Sequence, residues 1–127
     1  MAARDAVART DWPAIESLEA RAYTVPTDRP ESDGTHEWTS TTIVVVHVGA
    51  GDHVGLGYTY AHAAAAELIN EKLIEAVWDG SPMHPTAAWW AMCDSVRNTP
   101  RRGLAMFAIS AVDCALWDLK ARLLDVS

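Results

Sequence analysis

The chain has 127 residues, the length of a single domain, with 50% hydrophobic and 21% charged residues, which supports a packed core and excludes a disordered chain. A formal net charge of -7 opposes binding to phosphate backbones and anionic lipids, so we expect neither nucleic acid nor membrane partners. Met1 to Asp11 mixes acids with bases and lacks the apolar segment of a secretory signal. Cys93 and Cys114 fall in helical patterns, which favours a reducing cytoplasm over a disulfide framework.

The first element is a predicted half-buried strand. Side chains alternate in polarity from Ile15 to Val25, and Pro26 ends the pattern. The inward-facing residues of this strand are Leu18, Ala20 and Ala22. Thr27 to His36 follows with charged and turn-forming residues and no periodicity, which predicts a long connecting loop.

Two further strands are predicted next. Thr41 to Val48 is dense in β-branched residues and apolar on both faces, which is typical of a central strand. Gly49 to Asp52 is predicted to be a hairpin turn, and His53 to Tyr60 returns as the third strand. Gly55 and Gly57 share one face of that strand and leave room for a close neighbour. The opposite face carries Val54, Leu56, Tyr58 and Tyr60.

Three helices complete the chain. Apolar residues at helical spacing predict helices from His62 to Trp78, with Gly80 as a left-handed stop, and from Thr86 to Asn98. Thr99 as N-cap and Pro100 as first residue predict the start of the last helix. Its predicted packing stripe is Leu104, Phe107, Ala108, Ala111, Val112, Ala115, Leu116, Leu119 and Leu123. The fold class is therefore α+β, an antiparallel three-stranded meander followed by a three-helix bundle.

No self-contained active site emerges from the sequence. The five histidines lack the i, i+4 spacing of a helical zinc site, the two cysteines form no CxxC, and no phosphate-binding or nucleophile motif occurs. Asp118 and Arg122 stand four apart in the order that favours an ordinary surface ion pair. We therefore expect no catalytic residue and no metal ligand in this chain.

The string AISAVDCALWDLK, from Ala108 to Lys120, resembles the final helix of the N-terminal capping domain in mandelate racemase and muconate lactonizing enzyme relatives, members of the enolase superfamily. The resemblance extends from Ile15 to Val126, and the helix string is its most specific part. The supporting strings are DGTHEW at Asp33 to Trp38, TTIVVV at Thr41 to Val46, GLGY at Gly55 to Tyr58, GSP at Gly80 to Pro82, and WAM at Trp90 to Met92.

The resemblance implies a capping domain that partners a (β/α)₈-like barrel. The barrel would hold Mg²⁺ and supply the bases that abstract the proton α to the carboxylate of a substrate, often a hydroxy acid, in a racemase or sugar-acid dehydratase. A barrel needs on the order of 200 further residues, so the 127-residue chain is expected to be inactive alone, and relatives are commonly oligomers. The alternative is a stand-alone binding or oligomerisation module with the same fold.

Two loops of such a domain would cover the barrel mouth and choose the substrate, here Thr27 to His36 and Gly57 to His62. The implied substrate-binding candidates are Asp33, Thr35 and His36 in the first loop, and Tyr58, Tyr60 and His62 in the second. For Tyr58 the alternative is a ring packed in the core, and for Asp33 it is a turn-forming role. Trp117, on the packing surface of the last helix, is the expected contact with the barrel.

Overall fold

A computed structural model describes residues 12–99 and 101–127 of the chain. Its three strands are β1 (Ser17–Ser32), β2 (Glu37–Ala50) and β3 (His53–Tyr60), and they form one antiparallel sheet in the order β1-β2-β3. The predicted meander with a central second strand is confirmed.

The first strand is longer than predicted. β1 continues through Pro26 to Ser32, and Glu31 pairs with Trp38 after a register shift between Pro26 and Glu31. Because β1 is an edge strand, a proline and a bulge can be accommodated without breaking the sheet. The predicted ten-residue loop is therefore wrong, and only Asp33 to His36 connects the two strands.

The helices pack on one face of the sheet. The first helix is continuous through α1 (Ala64–Leu68), a π-helical turn (Ile69–Leu73) and α2 (Ile74–Val77), and is followed by α3 (Pro85–Ser95) and α4 (Met106–Leu123). The buried residues of the covered sheet face are Leu18, Ala20, Val44, Val46, Val48 and Ala50. No helix in the described ranges is long and apolar enough to cross a membrane.

Several helix boundaries differ from the predictions. α3 ends at Ser95 rather than at Asn98. Asp79, not Gly80, adopts the left-handed conformation after the first helix, with φ of 60°, which aspartate tolerates better than most residues. The last helix begins at Met106 because the backbone at Arg102 and Gly103 is non-helical. Pro100, the predicted first residue of that helix, lies outside the described residues.

The last helix packs closely against the third strand. A Cβ atom at Gly55 would lie 2.1 Å from the carbonyl oxygen of Ala115, and one at Gly57 would lie 2.1 Å from that of Ala111. The predicted close neighbour of the two glycines is thus α4. Since later residues of β3 meet earlier residues of α4, the two elements are antiparallel. The start of α4 therefore lies at the end of the sheet where β3 finishes.

A helix side chain bonds to the backbone of each edge strand. The Asn70 side chain, in the π-helical turn, accepts from the Ala20 N–H at 2.8 Å and donates to the Ala20 carbonyl oxygen at 2.9 Å. Asp118 of α4 accepts from the Leu56 N–H at 2.8 Å and from Arg122 Nε at 2.8 Å. The predicted Asp118–Arg122 pair is present, and it also joins the helix to β3.

Candidate functional site

The two predicted loops approach one another at a single end of the sheet. We call this region, comprising Thr27 to Trp38 and Tyr60 to His62, the loop end. A cleft of about 600 Å³ opens there. Its residues Ile43 and Tyr60 alternate with the buried residues of their strands and so lie on the sheet face that the helices leave uncovered. Its lining residues are Val25, Pro26, Thr27, Glu31, Trp38, Thr41, Ile43 and Tyr60. The cleft therefore combines the long β1–β2 hairpin with the end of β3.

One wall of the cleft is a carboxylate held by an indole. Trp38 Nε1 donates to Glu31 Oε2 at 3.0 Å, and the two residues face each other across the β1–β2 pairing. Tyr60 also lines the cleft, and its ring lies edge-on to that of Tyr58 at a centroid distance of 6.0 Å. The cleft is thus mainly apolar and aromatic, with one carboxylate positioned by a hydrogen bond.

The bulge contributes a buried hydroxyl. Thr27 Oγ1 is inaccessible to solvent and has no hydrogen-bond partner within the described part of the chain. An unsatisfied buried hydroxyl costs about 1–3 kcal/mol. The bulge between Pro26 and Glu31 therefore carries a local energetic penalty.

The candidates of the first loop lie at the tip of the hairpin. Asp33 Oδ1 accepts from the Thr35 N–H at 2.9 Å, the Thr35 hydroxyl at 2.7 Å and the His36 N–H at 2.9 Å. These bonds, with that of the Thr35 hydroxyl first, lower the pKa of Asp33 to about 2. The turn-forming role accounts for this geometry. Asp33, Thr35 and His36 do not line the cleft.

The candidates of the second loop occupy three different settings. Tyr58 is 57% exposed on the uncovered sheet face, so its alternative placement in the core is wrong. Tyr60 lines the cleft. His62 Nδ1 accepts from the Ala64 N–H at 3.1 Å just before α1. Tyr58 pairs with Val45, eight residues from the start of β2, so roughly 25 Å of strand separates it from the hairpin tip.

Three residues of the cleft were not predicted from the sequence. Thr27 and Glu31 were expected in an irregular loop, and Trp38 was not expected to contribute to the site. The available signal was the pair of aromatic residues, Trp38 at the start of β2 and Tyr60 at the end of β3. The signal was hidden because the bulge breaks the alternation of β1, so the inward and outward positions after Pro26 cannot be counted from Leu18.

The last helix presents a second exposed apolar surface, which we call the outer face of α4: Phe107, Ser110, Cys114, Trp117 and Ala121. Trp117 is 48% exposed, and Lys120 Nζ lies 5.1 Å from the centroid of its ring. It sits about 160° around the helix axis from Ala115, which contacts β3. Trp117 therefore faces away from the sheet.

This exposure corrects part of the predicted packing stripe. Leu104 and Phe107 are 39% and 50% exposed, and Trp117 does not belong to the domain's own core. The other seven members of the stripe are buried or partly buried. Beside the outer face, burial raises the pKa of the Asp113 carboxyl.

The described residues do not assemble a metal site. No three side chains of His, Cys, Asp or Glu within residues 12–99 and 101–127 come close enough to hold a metal ion. Cys93 is buried and Cys114 is exposed, and each is a free thiol. The described residues therefore do not fit a bound Mg²⁺.

Comparison with known proteins agrees with this architecture. Residues 17–127 match the family described as mandelate racemase / muconate lactonizing enzyme, N-terminal domain. The chain belongs to this family. A mandelate racemase/muconate lactonizing enzyme-like protein from Rubrobacter xylanophilus has the same fold, with a TM-score of 0.85 and 48% identity over 88% of this chain and 31% of its own.

Two relatives of this N-terminal domain have named activities. The 3,6-anhydro-α-L-galactonate cycloisomerase of Streptomyces coelicolor is 32% identical over 112 residues, which are 84% of this chain and 31% of the relative. L-Talarate dehydratase from Polaromonas sp. JS666, solved with Mg and L-glucarate, has a TM-score of 0.73 and 26% identity over 87% of this chain and 32% of its own. The chain thus spans about a third of the length of these relatives.

Proposed function

We propose that this domain is the substrate cap of an enzyme that abstracts the proton α to a carboxylate. The loop end would cover the mouth of a (β/α)₈ barrel, and the barrel would hold Mg²⁺ and carry the catalytic bases. The family match supports this assignment, as do relatives that include a cycloisomerase and a dehydratase. The observation that carries it is the cleft at the loop end, where both candidate loops contribute side chains.

The cap would act by shape and by exclusion of water, while the catalytic groups would come from the barrel. Tyr60 and Trp38 in the cleft, with Tyr58 beside them, would contact the part of the substrate remote from its carboxylate. Asp33 would hold the hairpin tip in shape through its three hydrogen bonds, while Thr35 and His36 would form the rim.

The barrel would dock on a separate surface as well. Trp117 on the outer face of α4 is half exposed, and an apolar helix face of this kind is typical of an interaction surface. Because Trp117 points away from the sheet, whereas Tyr58 and Tyr60 lie on its uncovered face, the two contacts can be tested independently. A stand-alone module that remains monomeric would more naturally carry polar residues at the position of Trp117.

A fusion of this domain with the barrel of the Streptomyces coelicolor cycloisomerase tests the proposal. We expect Mg²⁺-dependent turnover of 3,6-anhydro-α-L-galactonate by the fusion, well above that of the barrel without a cap, and none by the isolated 127-residue chain. Turnover by the isolated chain would overturn the proposal. So would a folded fusion that is no more active than the uncapped barrel.

The alternative is that the domain is an oligomerisation module. In that case the outer face of α4 would be the interface, because an apolar stripe can pair with the same stripe on a second copy of the chain. Sedimentation of the isolated chain separates the two. A tight, stoichiometric dimer that Trp117→Ser dissociates would favour the module, and a fusion in which Trp117 becomes protected from solvent would favour the cap.

A further inference from the structure

We infer that the cleft at the loop end selects a ligand group that has an apolar body and a hydrogen-bond donor at its end, and that it rejects a negatively charged end. As a statement about substrate, this inference rests on the proposed function. It would mean that the substrate carries its one carboxylate toward the barrel and a hydroxyl or ammonium group toward the cap.

The negative charge of the cleft explains why it would reject a negatively charged ligand end. Among the described residues that line it, Glu31 is the only acid and no base is present. The Trp38 indole engages one oxygen of that carboxylate at 3.0 Å. A carboxylate has about four acceptor positions, so Glu31 can still accept from a ligand hydroxyl or ammonium. A second carboxylate at the same place would meet like charge with no cation in the lining to offset it.

The apolar lining and the size of the cleft explain why it would accept a ligand group with an apolar body. Val25, Ile43 and the aromatic residues Trp38 and Tyr60 line the same cleft as Glu31 and give it mainly apolar walls. The volume of about 600 Å³ is within the range of small-molecule sites. Aromatic faces next to a carboxylate suit the carbon skeleton of a hydroxylated ring or chain, and they also suit an ammonium group through cation–π attraction.

A series of three probes with one body and different ends tests the inference on the 127-residue chain. Cyclohexanol, cyclohexylammonium and cyclohexanecarboxylate are titrated into ¹⁵N-labelled protein while the Trp38 indole N–H signal, assigned with Trp38→Phe, is followed. We expect saturable shifts with the alcohol and the ammonium, and binding of the carboxylate that is weaker by about tenfold or more. Tighter binding of the alcohol would assign a hydroxyl end, and tighter binding of the ammonium would assign an ammonium end.

Two variants check that Glu31 is the cause. Glu31→Gln is expected to remove the discrimination against the carboxylate probe, whereas Glu37→Gln, on the same hairpin but outside the cleft lining, should leave it unchanged. Equal binding of carboxylate and alcohol by the unmodified chain, or no saturable shift with any probe, would overturn the inference. These titrations need no barrel, so they are independent of the fusion experiment. If the fusion is active but the probes show no discrimination, only the ligand assignment is contradicted. If the probes bind as expected but the fusion is inactive, only the capping proposal is contradicted.

Discussion

The contact between β3 and α4 is most directly tested by replacing Gly57 with alanine. The added Cβ would lie 2.1 Å from the Ala111 carbonyl oxygen and 2.7 Å from the Ala115 nitrogen, both of them backbone atoms. A comfortable contact needs about 3.5 Å, so the helix would have to move by roughly 1.4 Å. Overpacking of this kind costs about 1–3 kcal/mol, occasionally more.

The expected loss for Gly57→Ala is near the upper end of that range, because no flexible side chain can yield. Part of the loss, about 0.4–1 kcal/mol, is offset by the lower entropy of the unfolded chain when glycine becomes alanine. We therefore expect a net loss of about 2–3 kcal/mol, seen as a drop in the midpoint of urea unfolding with an unchanged slope.

Two controls sharpen the Gly57 experiment. Leu56→Ala changes an exposed neighbour on the same strand and should cost about 1 kcal/mol or less. Adding Ala115→Gly to Gly57→Ala should not restore stability, because the shortest clash is with the carbonyl oxygen of Ala111 rather than with a side chain. A loss below about 1 kcal/mol for Gly57→Ala, or its rescue by Ala115→Gly, would refute the close backbone contact.

Three further substitutions probe the edges and the cleft. The hydrogen bond from Arg122 lowers the pKa of Asp118. The ionised Asp118 carboxylate therefore stabilises the fold above its unfolded pKa of about 3.9, and this contribution is lost as pH falls through the folded pKa. The difference in unfolding free energy between the unmodified chain and Asp118→Asn, measured by urea unfolding, should be constant from about pH 7 to 5 and should disappear in stronger acid. Asn70→Ala should cost about 2 kcal/mol by leaving both Ala20 backbone groups unpaired, and Asn70→Asp should not recover it because a carboxylate cannot donate to the Ala20 carbonyl; full recovery would contradict the two-bond geometry. Thr27→Val should raise the unfolding midpoint, since it removes a buried hydroxyl without a partner among the described residues, and a lower midpoint would show that the hydroxyl is satisfied.

Local patterns were sufficient to predict the sheet order and the helix count. The β-branched run of β2 indicates burial of that strand. The paired glycines of β3 indicate the close approach of another element. The residues of α4 from Ala108 to Leu119 also follow the predicted packing stripe. These features depend on side chains a few positions apart, which is why the sequence reveals them.

The cleft could not be predicted because it depends on contacts between distant segments. Pro26 suggested the end of β1, and only the pairing of Glu31 with Trp38 shows that the strand resumes after a bulge. The exposure of Leu104 has a similar origin, since the non-helical backbone at Arg102 and Gly103 moves the helix start beyond it. Neither effect can be read from hydrophobic periodicity.

The capping claim is tested most directly by joining this domain to the barrel of the Rubrobacter xylanophilus relative, in place of that protein's own N-terminal third, and following thermal unfolding by calorimetry. If the domain docks on the barrel, the fusion should unfold in one cooperative transition above that of the isolated chain, and Trp117→Ser should lower it more in the fusion than in the isolated chain. Two independent transitions, with the domain melting at the temperature of the isolated chain, would contradict the claim.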